Sequence, residues 1–169
     1  LSCPTKACSR SSRDRNMFDR CRRYWRLSCT AQKLFLECLV LLPLLALAIG
    51  LFGFAATQRC LSRFVGVRSI SRANPDSATA VAARMVSAAA RYGPWRANCL
   101  QRSLLLWWLL RRRGIASDLR IGVRRADGIF QAHAWVDCGG KVLNDSHAVG
   151  ERFAAFDHPI IPVSAEFVR

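Results

Sequence analysis

The sequence predicts an α+β protein: a small core of helices packed on a short antiparallel sheet, preceded by an apolar N-terminal helix. Three observations carry this reading. No charged side chain occurs between residues 38 and 56. Two helical stretches with start and stop signals follow, at 76–91 and from residue 99. From residue 118 onward apolar and polar residues alternate, with glycine turns between the runs. The chain divides accordingly into a basic segment at 1–30, an apolar helical region at 31–72 and a compact domain at 73–169.

Residues 1–26 are polar and basic, rich in Ser and Arg, and carry the composition of a flexible tail. The uncharged run that follows is long enough to cross a bilayer. Arginines stand on both flanks, so their asymmetry sets no orientation. Pro43 is expected to break the helix and Gly50 and Gly53 to loosen it. We expect residues 34–56 to associate with a membrane surface or pack on a partner rather than to span.

Asn74-Pro75-Asp76 supplies a cap residue, a proline at the first helical position and an acid in the first turn. The Ala-rich helix it opens should end at Gly93-Pro94 and pack beside the next one. That next helix starts at Cys99, where a breaker-rich stretch gives way to apolar residues. Leu100, Leu104, Trp107 and Trp108 share one face, Arg111, Arg112 and Arg113 suit the negative end of the dipole, and Gly114 stops the helix. Residues 118–124 read as a strand turned by Asp127-Gly128 into a second at 129–137. Phe130, Ala132, Ala134 and Val136 lie on one face of that strand and His133 on the other. A third strand at 141–145 completes a three-stranded sheet, and beyond His147 the chain reads as irregular, with Pro159 and Pro162 limiting regular structure.

The chemistry concentrates in Cys99, His133 and Asp145. A thiolate at a helix start is stabilised by backbone N–H groups that have no partner inside the helix, and the same amides suit an oxyanion. If Cys138-Gly139-Gly140 forms a three-residue loop, Asp137 pairs with Lys141 and His133 falls opposite Asp145. Opposed Cβ atoms are about 5 Å apart, close enough for a carboxylate to orient an imidazole. Asp137 shares the face of His133 but lies about 13 Å along the strand. A two-residue Gly139-Gly140 loop would instead turn Asp145 to the other face and make Asn144 the orienter. Asn98 is placed either to donate to an oxyanion or to cap the helix, and Trp95 either lines a cleft or caps the helix.

Composition narrows the partners. The net charge is +15, from arginines scattered over the chain with no nucleic-acid motif, so an acidic peptide, a partner protein or anionic lipid fits better than nucleic acid. The eight cysteines include no Cys-x-x-Cys pair and lack ligand spacing, so no metal or other cofactor is expected. Free thiols suit a reducing cytoplasm.

Four segments, Asn98-Cys99-Leu100, Arg112-Arg113-Gly114-Ile115, Leu119-Arg120-Ile121-Gly122-Val123 and Ala132-His133-Ala134-Trp135-Val136, resemble the lasso-peptide biosynthesis B family. The similarity is to its stand-alone leader-peptidase half, within the transglutaminase-like, papain-like superfamily, and covers residues 75–150. It implies a transglutaminase-like core and a cysteine peptidase that removes the leader of a ribosomally made precursor, with Cys99 as nucleophile, His133 as base and Asp145 as orienter. It also implies three partners: the leader region of the precursor peptide, a small leader-binding recognition protein, and an asparagine-synthetase-like lasso cyclase that closes the freed core.

Overall fold

A computed structural model describes residues 28–65, 76–126, 129–146 and 148–155. Most of the basic segment 1–30, the Asn74-Pro75 helix start, the Asp127-Gly128 turn, His147, His158, Pro159 and Pro162 lie outside the described residues.

Helix α1 (Cys29–Arg63) begins where the Ser28 hydroxyl accepts the Ala31 N–H. Its buried side chains, Ala31, Leu34, Cys38, Leu42 and Leu45, recur every three or four residues and so form one stripe. The stripe enters the main core, so the apolar segment is built into the same body as the helices that follow it. The opposite face exposes Leu36, Val40, Leu44, Leu47 and Leu51. Contrary to expectation, the helix passes through Pro43, where Leu42 and Leu45 are anchored in the core on either side, and breaks at Gly53, whose φ is 78°. The Thr57 hydroxyl donates to the Gly53 carbonyl one turn after the break. By length and composition α1 could cross a membrane, but its inner stripe is already committed to protein.

Helix α2 (Asp76–Tyr92) packs through Ala82, Ala83, Met85, Val86 and Ala89. These mostly small side chains let it lie close to α1 and to α3 (Cys99–Arg112). Burial of α3 is wider than the single face expected: Leu104, Leu105, Leu106, Trp107, Leu109 and Leu110 are all buried, because α1 and α2 cover one side and the sheet the other. Each such leucine contributes roughly 1.5–3 kcal/mol, so α3 is the rigid axis of the fold. The helix ends where the Ile115 N–H reaches the Leu110 carbonyl and the Gly114 N–H that of Arg111. Arg112 pairs with Glu37 of α1 and lies over the Trp108 ring.

Among the described residues the sheet has four strands, one more than expected, in the order β3-β2-β1-β4. β1 (Asp118–Ala126) pairs antiparallel with β2 (Ile129–Cys138) from Asp118 opposite Asp137 to Ala126 opposite Ile129. β3 is only Lys141–Val142. The additional strand β4 (Ala154–Ala155) follows the one-turn helix α4 (Val149–Arg152) and pairs with β1 at Gly122 and Val123. Residues 148–155 therefore return to the sheet, held by Val149 and Phe153 packed against Trp135. The start of β2 departs from the alternation expected of it: Ile129 and Phe130 are exposed, and burial begins only at Ala134.

The hairpin register also differs. Asp137 pairs with Val142 and Cys138 with Lys141, leaving Gly139-Gly140 as a two-residue loop. Both glycines have positive φ, 62° and 84°, the pattern of a tight hairpin whose twist matches that of the strands. The ladder nevertheless stops early. Leu143 donates its N–H to the Val136 carbonyl, and then the Asn144 side chain, rather than a backbone carbonyl, accepts the Val136 N–H.

Candidate active site

That early departure decides which side chain meets His133. Continued regularly, the two-residue register would turn Asp145 to the far face. Because the chain bends out of the sheet at 143–145, the Asp145 carboxylate swings back, and its Oδ2 lies 2.5 Å from His133 Nε2. Asp145 is thus the partner of His133, by a route other than the three-residue loop. Asn144, the alternative orienter, is occupied elsewhere. Its Oδ1 accepts from Val136 at 2.8 Å, and its Nδ2 donates to the Ser103 hydroxyl at 2.8 Å.

His133 is held in an aromatic setting. Phe153 stacks at 5.2 Å between ring centroids and Trp135 at 6.4 Å. Opposite His133 on β1 stands Gly122, where an added Cβ would come within 2.9 Å of the Trp135 ring and 3.0 Å of Phe153. Only a residue without a side chain leaves room for that stack. With Nε2 turned to Asp145, Nδ1 is the ring nitrogen left to serve a thiol.

Asp145 gathers donors. Oδ1 accepts the Ser146 N–H at 2.6 Å and the Arg152 guanidinium at 3.3 Å, and Arg152 also donates to the Ser146 hydroxyl at 2.7 Å. Partial burial works against ionisation, but the Ser146 N–H and the hydrogen bond and charge of His133 outweigh it and hold the carboxyl below its usual range. A carboxyl depressed in the folded state contributes stability that is complete above its unfolded value, about 3.9, and is lost as pH falls through the folded one. The stability advantage of wild type over Asp145→Asn should accordingly persist from neutrality to about pH 4 and shrink below it. Paired thermal melts across that range measure it, and an advantage that instead disappeared between pH 6 and 5 would contradict the assignment.

Cys99 is the first residue of α3 and is half-buried. Asn98 caps the helix reciprocally: its side chain accepts the Gln101 N–H at 2.9 Å, and Gln101 Oε1 accepts the Asn98 N–H at 3.1 Å. The Trp95 indole donates to the same Gln101 oxygen at 3.4 Å. Of the two readings for each, both residues are therefore seen at the helix cap. The Cys99 and Leu100 amides precede the helix's own ladder, which opens with Arg102 donating to the Asn98 carbonyl.

The helix is tied to β2 along its length. Near its C-terminal end the Cys138 thiol donates to the Ala116 carbonyl. Further back, the buried Ser103 hydroxyl donates to the Ala134 carbonyl at 2.8 Å. From Cys138 toward Ala134 along β2 the helix thus runs from its C-terminal end toward its start. One further turn, about 6 Å of rise, carries Cys99 beyond Ser103 toward the His133 end of the strand. Among the described residues, Cys99 makes no hydrogen bond to His133 or Asp145.

Ser103, Phe153, Arg152 and Ser146 were not legible as site residues. Ser103 alone left a trace, as a polar residue one turn after Cys99 within an apolar run. The other described cysteines are free thiols in different settings: burial, with the neighbouring Glu37 charge, pushes the Cys38 thiol up to about 12, whereas Cys29 and Cys60 are exposed.

The sequence matches the transglutaminase-like superfamily over residues 38–156, a span that begins inside α1 and ends just after β4. It is also 40% identical over 52 residues to McjB, the microcin J25-processing protein of Escherichia coli. That match covers 31% of this chain and 24% of McjB. No solved structure matches. Both matches agree with the resemblance read from the four sequence segments, and the helix-on-antiparallel-sheet architecture agrees with the superfamily.

Proposed function

Since the chain belongs to the transglutaminase-like superfamily, we propose that it is a cysteine peptidase that removes the leader from a ribosomally synthesised lasso-peptide precursor. The observation that carries the reading is the 2.5 Å contact between His133 and Asp145, on the side of Ala134 in β2 toward which the helix start bearing Cys99 extends. The identity with a microcin J25-processing protein supports the substrate class.

In this mechanism His133 takes the Cys99 proton, and the thiolate attacks the last carbonyl of the leader. The oxyanion rests on the free amides at the start of α3. The C–N bond then breaks, His133 returns the proton to the departing amine, and water hydrolyses the thioester, releasing the leader as an acid and regenerating the thiol. Asp145 keeps the imidazole oriented and stabilises its charged form. The freed core N-terminus is the substrate of a separate asparagine-synthetase-like cyclase, and a small leader-binding protein presents the precursor. The reaction belongs to the reducing cytoplasm, with residues 34–56 as the element that would bring the enzyme to a membrane surface.

The superfamily's chemistry also includes acyl transfer, in which an amine resolves the thioester. Product mass separates the two outcomes. Precursor peptide incubated with this protein and the leader-binding partner should yield a leader with one added water and an intact core. A leader carrying an amine adduct would establish acyl transfer, and an uncut precursor bound by the partner would leave a non-catalytic adaptor of the maturation complex.

A further inference from the structure

β2 has two unequal edges. Toward β1 it is paired from Ile129 to Asp137. Toward β3 the ladder covers only Asp137 and Cys138, and single contacts extend it to the Val136 N–H and C=O and, through Ser103, to the Ala134 carbonyl. Backbone groups of alternate residues face the same edge of a strand. Since Val136 faces the β3 edge, so do Ala134, Ala132 and Phe130. Among the described residues no strand pairs with this edge at Phe130 and Ala132, or with the Ala134 N–H.

Natural sheets protect such an edge with charges, prolines or bulges. Here the open stretch reads Ile129-Phe130-Gln131-Ala132, without a charge or a proline, and all four residues are exposed. It leads directly into His133 and lies on the side of Ser103 toward which α3 extends to Cys99. Beside it on β1, Arg125 lies over the Phe130 ring and Arg124 donates to the Gln131 side chain at 2.8 Å. These guanidiniums hold the exposed side chains in place and give the stretch a cationic border.

We infer that the open edge of β2 at Phe130, Ala132 and Ala134 receives the peptide substrate as an added strand, an inference that rests on the peptidase reading. Main-chain pairing of this kind needs an extended peptide but little sequence identity, and it draws the chain past the helix start where the scissile carbonyl must lie. It also leaves the choice of substrate to the leader-binding partner and to acidic side chains that meet Arg124 and Arg125.

The test is amide hydrogen exchange on the full-length Cys99→Ala protein, with and without intact precursor peptide and the leader-binding partner. The Phe130, Ala132 and Ala134 amides should slow by about tenfold or more, whereas the Gln131 and His133 amides, already paired with β1, should change little. In the otherwise wild-type enzyme, Ala132→Pro removes an edge N–H without touching the β1 ladder. It should raise KM by about fivefold with a smaller effect on kcat, as loss of one binding hydrogen bond implies. Cleavage by wild type with unchanged exchange at all three amides would overturn the inference and leave the peptidase reading standing. Protection that appears without peptide and grows with protein concentration would assign the edge to a second copy of the chain and overturn it equally. Failure of the wild-type enzyme to cut the same precursor would remove the reading and the inference together.

Discussion

Cys99→Ala should abolish leader removal, lowering single-turnover cleavage by roughly 10⁴-fold or more, while leaving the melting temperature within a few degrees of wild type. The two expectations have different origins. Without the sulfur no thioester forms, and whatever the helix amides and peptide binding still provide acts only on attack by water. The fold, by contrast, barely depends on the thiol: Cys99 is half-buried, and Asn98 and Gln101 hold the helix start through each other. Mass spectrometry of the precursor over a time course and a thermal melt of the same preparation check both halves. Iodoacetamide gives an independent reading, since Cys99 should label well ahead of Cys38, which is buried and whose thiol is pushed up to about 12. Full cleavage by Cys99→Ala would sink the peptidase reading.

Much of this site could be read from residue order because its parts sit where local physics is strong. The Asn98 cap, the apolar run behind Cys99 and the Gly114 stop are all determined within a few residues, and they place Cys99 at a helix start whatever the rest of the chain does. The pairing of His133 with Asp145 was expected for a geometric reason that the structure replaces. Two adjacent glycines favour a two-residue hairpin, and that is the loop formed. Asp145 still reaches the imidazole because the ladder ends at Leu143, where the Asn144 side chain turns to Ser103, a residue on another element 41 positions away. Periodicity along a strand carries no information about such a partner. The same limit hid β4: two alanines have no strand signal of their own and are held by Phe153 and Val149 against Trp135. It also concealed the full burial of α3, since a helix covered on several sides differs from an amphipathic one only through what surrounds it.

Asp145→Ala and Asn144→Ala, adjacent substitutions, should fail in opposite ways. Removal of the Asp145 carboxylate leaves His133 stacked on Phe153 but without the group that fixes its tautomer, and Arg152 without one of its two acceptors. The expected result is a fall in kcat of roughly 10² to 10⁴ with weak residual cleavage, because orientation is only part of the barrier. Stability should drop little at neutral pH, since Arg152 is about half exposed and retains Ser146. Asn144→Ala removes no group from the reaction. It strips the acceptor from the Val136 N–H, at a cost of about 1–3 kcal/mol for the group left unsatisfied, and takes one of two partners from the buried Ser103 hydroxyl, which still donates to Ala134. Its kcat, measured well below its melting temperature, should stay within a few-fold of wild type, while its unfolding midpoint falls by several degrees. Denaturant unfolding and steady-state cleavage on the two proteins in parallel decide the matter. If Asn144→Ala were inactive yet fully stable, and Asp145→Ala active, the orienting role would pass to Asn144 and the short His133–Asp145 contact would carry no catalytic weight. The asymmetry expected here follows from where the chain leaves the sheet: one residue earlier is spent on holding the strand to the Cys99 helix, and the next is free to face the imidazole.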